Sequence, residues 1–291
     1  MTAIPSQDPR PLSKRQNDPE FIDMLDATSQ LYTEAKRLQY GTTVVLTLVA
    51  LVGSGYIIWS KTTEGWTMLV TLLALLGSYA VRDRALASQE EAARIQEQFD
   101  TELLGLAWNE ILCEKLDASK IKQKAVKYQR RTGESRDRRV NWYANYDELT
   151  PELQALACQR ENTRWDTDLR RLWTRSITWL MIVVLIGLLI MAYATNPHIQ
   201  DLITGPALLL TPLFILGLDL LRDNRVTQAH LSQTNSHLGL AEDRAKRPNH
   251  DQVELAHSIR QIQDRIYLNR CSNPQIPDCF YRIHKRLTGR E

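Results

Sequence analysis

The densest chemistry in the chain lies within twenty residues. Lys120–Arg139 holds nine cations against Glu134 and Asp137, a net charge of +7, and Trp142, Tyr143 and Tyr146 follow directly. Guanidinium forks match phosphate oxygens, and aromatic rings stack on nucleobases. Arg130, Arg131, Arg138, Arg139, Trp142 and Tyr143 are therefore a candidate nucleotide-binding set. A second reading stays open, because a basic segment beside an anionic leaflet gains about 1 kcal/mol per Lys or Arg from the lipid alone.

Other reactive constellations are missing from the sequence. There is no glycine-rich phosphate loop, no serine elbow and no histidine pair at metal-ligand spacing. The cysteines Cys113, Cys158, Cys271 and Cys279 and the six scattered histidines read as packing and surface residues. No catalytic residue, metal or cofactor is expected, and the chain is not expected to be an enzyme.

The elements that must position the basic set are set by how the apolar residues bunch. Lys+Arg number 36 against 34 Asp+Glu, yet four uncharged runs interrupt this charged background: Gly41–Trp59, Gly65–Val81, Ser176–Thr195 and Leu202–Leu218, of 19, 17, 20 and 17 residues. A helix crossing the hydrocarbon core needs roughly 17–25 apolar residues, so four spans in two hairpins are expected, with the lipid bilayer as the first partner. Twelve Lys and Arg flank the runs on one side, and only Lys61 lies on the other. Cytoplasmic basic residues orient such segments. Both termini are then cytoplasmic, and a multi-pass protein of the plasma membrane is expected. The corresponding segments are an N-terminal arm (1–40), a first hairpin (41–81), a middle cytoplasmic segment (82–175), a second hairpin (176–221) and a C-terminal tail (222–291).

Within the first hairpin, Thr43, Thr47 and Ser54 share a helix face, as do Thr67, Thr71 and Ser78. Small hydroxylated residues permit close helix packing and hydrogen bonds in lipid; they also suit the lining of a water path. Pro206 and Pro212 predict a bent or interrupted fourth helix, since proline lacks the donor N–H and clashes one turn back. With Asp219 just beyond the run, they are a candidate gate. The apolar runs carry no charge, so a leaky state needs several subunits, and a homo-oligomer is expected.

Outside the runs, helices dominate. Asp18-Pro19-Glu20 and Thr150-Pro151-Glu152 each combine a cap, a proline at the first helical position and an acid in the first turn. Phe21, Met24, Leu25, Leu31 and Ala35 keep helical spacing, as do Ile95, Phe99 and Leu103, and Leu255, Ile259, Ile262 and Ile266. The expected fold class is an all-α membrane protein, two transmembrane helical hairpins joined to a helical cytoplasmic bundle.

Three separated motifs carry a family resemblance. They are Arg15-Gln16-Asn17 with Leu31-Tyr32 and Ala35-Lys36; Cys158-Gln159-Arg160-Glu161-Asn162 with Trp165-Asp166; and Ile262-Gln263-Asp264, Ile266 and Arg270 with Pro277-Asp278-Cys279-Phe280-Tyr281. In these the chain resembles the SMODS- and SLOG-associating four-transmembrane effectors of bacterial conflict systems. The resemblance implies a membrane-disrupting or pore-forming antiphage effector that stays quiet until a cyclic oligonucleotide signal arrives. It also implies a functional link to a nucleotide-second-messenger synthase. A small constitutive channel or transporter, and a membrane scaffold for a soluble partner, are the alternatives.

Overall fold

The computed structural model describes residues 9–60, 65–133, 135–195 and 208–288. Every regular element among them is helical: α1 (Leu12–Arg15), α2 (Pro19–Ser60), α3 (Gly65–Leu104), α4 (Ala118–Thr132), a 3₁₀ turn (Arg136–Arg139), α5 (Pro151–Thr195), α6 (Leu208–Ala245), α7 (Gln252–Ser272) and α8 (Asp278–Leu287). The two proline caps start α2 and α5 where the sequence places them, and the N–H of Phe21 closes the first turn of α2 on Asp18 O at 3.0 Å.

The chain divides into two compact units, each assembled from separated stretches. The first contains residues 1–35, 86–167 and 227–273; the second contains 36–85, 168–226 and 274–291. The first unit holds the main core. Phe21, Leu25 and Leu31 of α2 meet Ile95, Phe99 and Leu103 of α3, Leu156 of α5, Leu238 of α6 and Leu255, Ile259 and Ile262 of α7. Phe21 and Phe99 pack edge to face, 5.5 Å between ring centres, a geometry that adds about 0.5–1.5 kcal/mol beyond area burial.

In the second unit the polar anchor is Asn224, fully buried on α6. Its amide donates to Arg170 O at 3.1 Å and to Thr174 Oγ1, while its Oδ1 accepts from Arg170 Nη1 at 3.0 Å. Gly217 gives close approach between α5 and α6: a methyl placed there would lie 2.8 Å from Met181 Sδ.

The expectation of four transmembrane helices is corrected here. Among the described residues, no helix is long and apolar enough to cross a membrane. Gly41–Trp59, Gly65–Val81 and Ser176–Thr195 run on within α2, α3 and α5, and residues 208–218 within α6, helices of 38–45 residues whose remainder is rich in charge. Among the described residues the fold is all-helical.

The expected interruption of the fourth run is not seen over 208–245, where α6 is continuous. Pro206 lies outside the described residues. Pro212 belongs to the second turn of α6, with a side chain outside the described ones, and Asp219 is exposed on the same helix. Of the two hydroxyl stripes, only Thr43 has a described side chain, half-buried and donating back to Gln39 O at 3.0 Å. The side chains of Thr47, Ser54, Thr67, Thr71 and Ser78 lie outside the described residues.

Candidate functional site

Two features of the first unit concentrate polar chemistry. One is the outer face of α4. Asp117 caps this helix through Ser119 N, and Gly133 ends it at φ 62, a left-handed conformation that glycine adopts without Cβ strain. Ile121, Ala125 and Tyr128 face the core. Ser119, Lys122, Gln123, Val126, Lys127, Arg130 and Arg131, at helical spacing on the opposite side, line an open groove of about 670 Å³.

Much of the basic charge nearby is already engaged by acids on α2 and α3. Lys127 Nζ lies 2.6 Å from Glu34, Lys124 lies 3.8 Å from both Glu34 and Glu91, Arg136 is 2.6 Å from Asp23, and Arg139 is 3.0 Å from Asp26. Arg139 also stands over the Tyr128 ring at 5.0 Å. Burial works to lift the Glu34 carboxyl. The hydrogen bonds from Lys127 and Gln30 and the charges of Lys124 and Lys127 outweigh it and hold Glu34 below the ordinary carboxylate range.

Arg130 and Arg131 therefore share the groove, whereas Arg138, Arg139, Trp142 and Tyr143 are not among its lining residues. Arg138 is exposed within the 3₁₀ turn. Trp142 packs on Phe99 at 6.5 Å, and Tyr143 is only 2% exposed. The two rings serve the core, and neither offers an open face to a base at the groove.

The second feature is a buried polar network that joins the three sequence motifs. Asp100 of α3 accepts from Tyr143 Oη, from Gln263 Nε2 at 3.2 Å and from Arg270 Nη1 at 2.6 Å. Glu97, one turn earlier, accepts from Gln263 Nε2 at 2.7 Å and from Arg260. Gln159 of α5 donates to Gln263 Oε1 and to Ile259 O, both at 3.1 Å, and Asn162 donates to Tyr143 Oη at 2.6 Å. Gln16 then grips the Tyr143 backbone from both sides, donating to its carbonyl at 3.2 Å and accepting from its N–H at 2.8 Å. Next to it, Asn17 accepts from the N–H of Asn141, whose φ of 56 is left-handed.

Electrostatics explain why the charges of this centre are paired. Desolvation pushes the Glu97 carboxyl up against the opposing pull of Arg260 and Gln263. Desolvation, followed by the negative charge of Asp100, raises the Tyr143 phenol well above its usual value. Burial disfavours the Arg270 cation, yet Asp100 first, then Tyr143 and Tyr32, hold it above the ordinary guanidinium range. Two carboxylates face two guanidiniums, and their remaining acceptor positions go to amide and phenol donors. This arrangement fixes helix register. Sequence reasoning found Gln16, Gln159, Asn162, Gln263 and Arg270 through their motifs. It missed Asp100, Glu97 and Arg260, whose only signal was two acids one turn apart on the buried face of a helix. Among the described residues, no group of three or more His, Cys, Asp or Glu side chains is arranged to hold a metal.

Residues 10–289 match the model of the SMODS-associating 4TM effector domain. The chain belongs to this family. It is also 21% identical over 286 residues to a Bacillus cereus (strain VD146) protein described as a probable CBASS effector molecule, a match covering 94% of this chain and 92% of that relative. No solved structure matches the chain. The matched region takes in both units, so the buried network and the groove on α4 both lie within the effector domain.

Proposed function

We propose that the chain is an effector of bacterial antiphage defence that assembles at the inner membrane and disrupts it, by a pore or a broader lesion, when a cyclic nucleotide second messenger arrives. The family's description as an effector domain and the name of the Bacillus relative support the defence role and a working tie to a nucleotide-second-messenger synthase.

The observation that carries the membrane part is exposed apolar surface in the second unit. Val52 is 69% exposed, Trp179 65%, Leu180 64% and Val183 62%. Contiguous apolar patches on a protein surface mark contacts with lipid or with other chains. Lipid contact and self-association both cover such faces, so the reading includes an oligomer and does not depend on four spans. The groove on α4, with Lys122, Lys127, Arg130 and Arg131, offers the phosphate-seeking charge that a nucleotide signal requires.

Switching sets a quantitative condition. Moving a two-state equilibrium from 1:99 to 99:1 takes about 5.5 kcal/mol of differential ligand affinity, and a lethal effector needs a stronger resting bias than that. Coupling several ligand sites through assembly brings such a bias within reach.

The test is dye release from liposomes carrying the purified chain, with and without a panel of cyclic di- and trinucleotides. Release with one nucleotide only is the expected result. Release without any nucleotide points to a constitutive channel, and no release under any condition points to a scaffold; either outcome overturns the proposal.

A further inference from the structure

The C-terminal helix α8 is built with two different faces. One is fastened to the second unit. Phe280 packs edge-on against Trp173 with ring centres 4.6 Å apart, His284 is buried, and Lys36 both pairs with Asp278 at 2.6 Å and lies over the Tyr281 ring at 4.1 Å. Just before the helix, Tyr40 Oη donates to Gln275 O at 2.6 Å. Among the described residues the other face has no such partner. Cys279, Ile283 and Leu287, at i, i+4 and i+8, form an apolar stripe; Ile283 is 44% and Leu287 72% exposed.

Charge identifies what this stripe meets. Arg282, Lys285 and Arg286 are exposed on the same helix, while its one acid, Asp278, is taken up by Lys36. An apolar stripe bordered by cations is the pattern of a helix lying in the interface of an anionic bilayer, with apolar side chains at the acyl boundary and cations among the headgroups. A second protein chain would also cover the apolar stripe, but nothing in three adjacent cations favours it over headgroup phosphates.

We propose that α8 is a membrane-surface docking helix that binds anionic lipid through Ile283, Leu287, Arg282, Lys285 and Arg286. This goes beyond the proposed function, because docking requires neither a nucleotide nor a lesion.

The test is hydrogen exchange of the α8 amides in the full chain. They are followed alone, with phosphatidylcholine vesicles, and with vesicles of phosphatidylcholine and phosphatidylglycerol in equal parts. Three cations at about fivefold each give on the order of 100-fold stronger binding to the mixed vesicles. Protection of α8 should therefore appear with the mixed vesicles at lipid concentrations where the neutral ones give none. The R282E/R286E variant should lose it while keeping the α8 protection that the lipid-free wild type shows, which reports that the Phe280–Trp173 side remains docked. Leu287→Ser should weaken it with all charges retained. Equal protection by both vesicle types overturns the proposal, as does protection that rises with protein concentration in the absence of lipid, the mark of a second copy. Dye release is read separately: docking without release leaves the inference standing while the lesion fails, and release without α8 protection does the reverse.

Discussion

Removing Arg270 tests whether the buried network holds the first unit together. Its guanidinium is 2.6 Å from Asp100, with the two side chains 12% and 1% exposed. In Arg270→Ala, Asp100 keeps Tyr143 and Gln263 but loses its opposing charge, and breaking one partner of a buried pair costs about 3–5 kcal/mol. For a domain of 150–250 residues each kcal/mol moves the melting temperature by about 2–4 °C, so a fall of roughly 6–20 °C is expected. The double variant Asp100→Asn/Arg270→Met removes both charges at similar volume and retains an acceptor for Tyr143 and Gln263. It should recover to within about 1–2 kcal/mol of the wild type, since paired buried charges are close to neutral when replaced together. Thermal unfolding of the three proteins, followed by far-ultraviolet circular dichroism, measures both steps. If the double variant is no more stable than Arg270→Ala, uncompensated charge is not the source of the loss. If Arg270→Ala melts with the wild type, the network does not bear on stability.

Further predictions concern separate parts of the molecule. The Glu34 carboxyl is held below its ordinary range; its contribution is complete above the unfolded carboxylate value and fades as pH falls through the folded one. Protection factors in α4, corrected for the intrinsic exchange rate at each pH, should accordingly fall on acidification and lose that dependence in Glu34→Gln, by no more than about 1 kcal/mol because these pairs are partly exposed. Burial, then the charges of Asp100 and Glu161, raise the Cys158 thiol, while Cys279 is exposed; mass spectrometry after brief alkylation at neutral pH should find Cys279 modified first and Cys158 only after unfolding. Gly217→Ala should cost less than about 1 kcal/mol because the tip of Met181 can swing away, whereas Gly217→Leu overpacks the α5–α6 contact by about 1–3 kcal/mol, read from denaturant midpoints.

The helical parts of the first unit were legible because periodicity and caps act locally. Phe21, Met24, Leu25, Leu31 and Ala35 all fall on the buried side of α2, and Leu255, Ile259, Ile262 and Ile266 do the same on α7. Asp18-Pro19 and Thr150-Pro151 mark helix starts through the fixed φ of proline and its missing donor, properties that need no tertiary contact. The four-span reading failed on a different kind of question. Run length counts consecutive uncharged residues in the sequence alone, whereas among the described residues no helix is long and apolar enough to cross a membrane. Nothing at Gly41 or Arg82 ends a helix: α2 and α3 pass through these positions as single elements of 42 and 40 residues.

The basic segment shows why the candidate site was only half legible. Nine cations in twenty residues read as a patch for phosphates when their own stretch is the only context. Their partners Asp23, Asp26 and Glu34 lie on α2, about a hundred residues away in sequence, and only folding brings them to Arg136, Arg139 and Lys127. What remains for an anion is the outer face of α4, where Lys122 and Arg130 make no ion pair among the described residues and the groove holds no acid. The aromatic residues mislead for the same reason. Trp142 and Tyr143 stand close to the cations in sequence, yet Gln16 and Asp100 draw Tyr143 inward. A ring in the core next to a buried carboxylate stabilises more than a ring held open for a base, because the phenol gains a charged acceptor and loses water from nearly its whole surface. Under the proposed function, a nucleotide at α4 would be held by the cations of the groove rather than by the neighbouring rings. Substituting Lys122 and Arg130 should weaken nucleotide-triggered dye release, whereas a conservative Trp142→Phe change should leave it intact as long as the core folds.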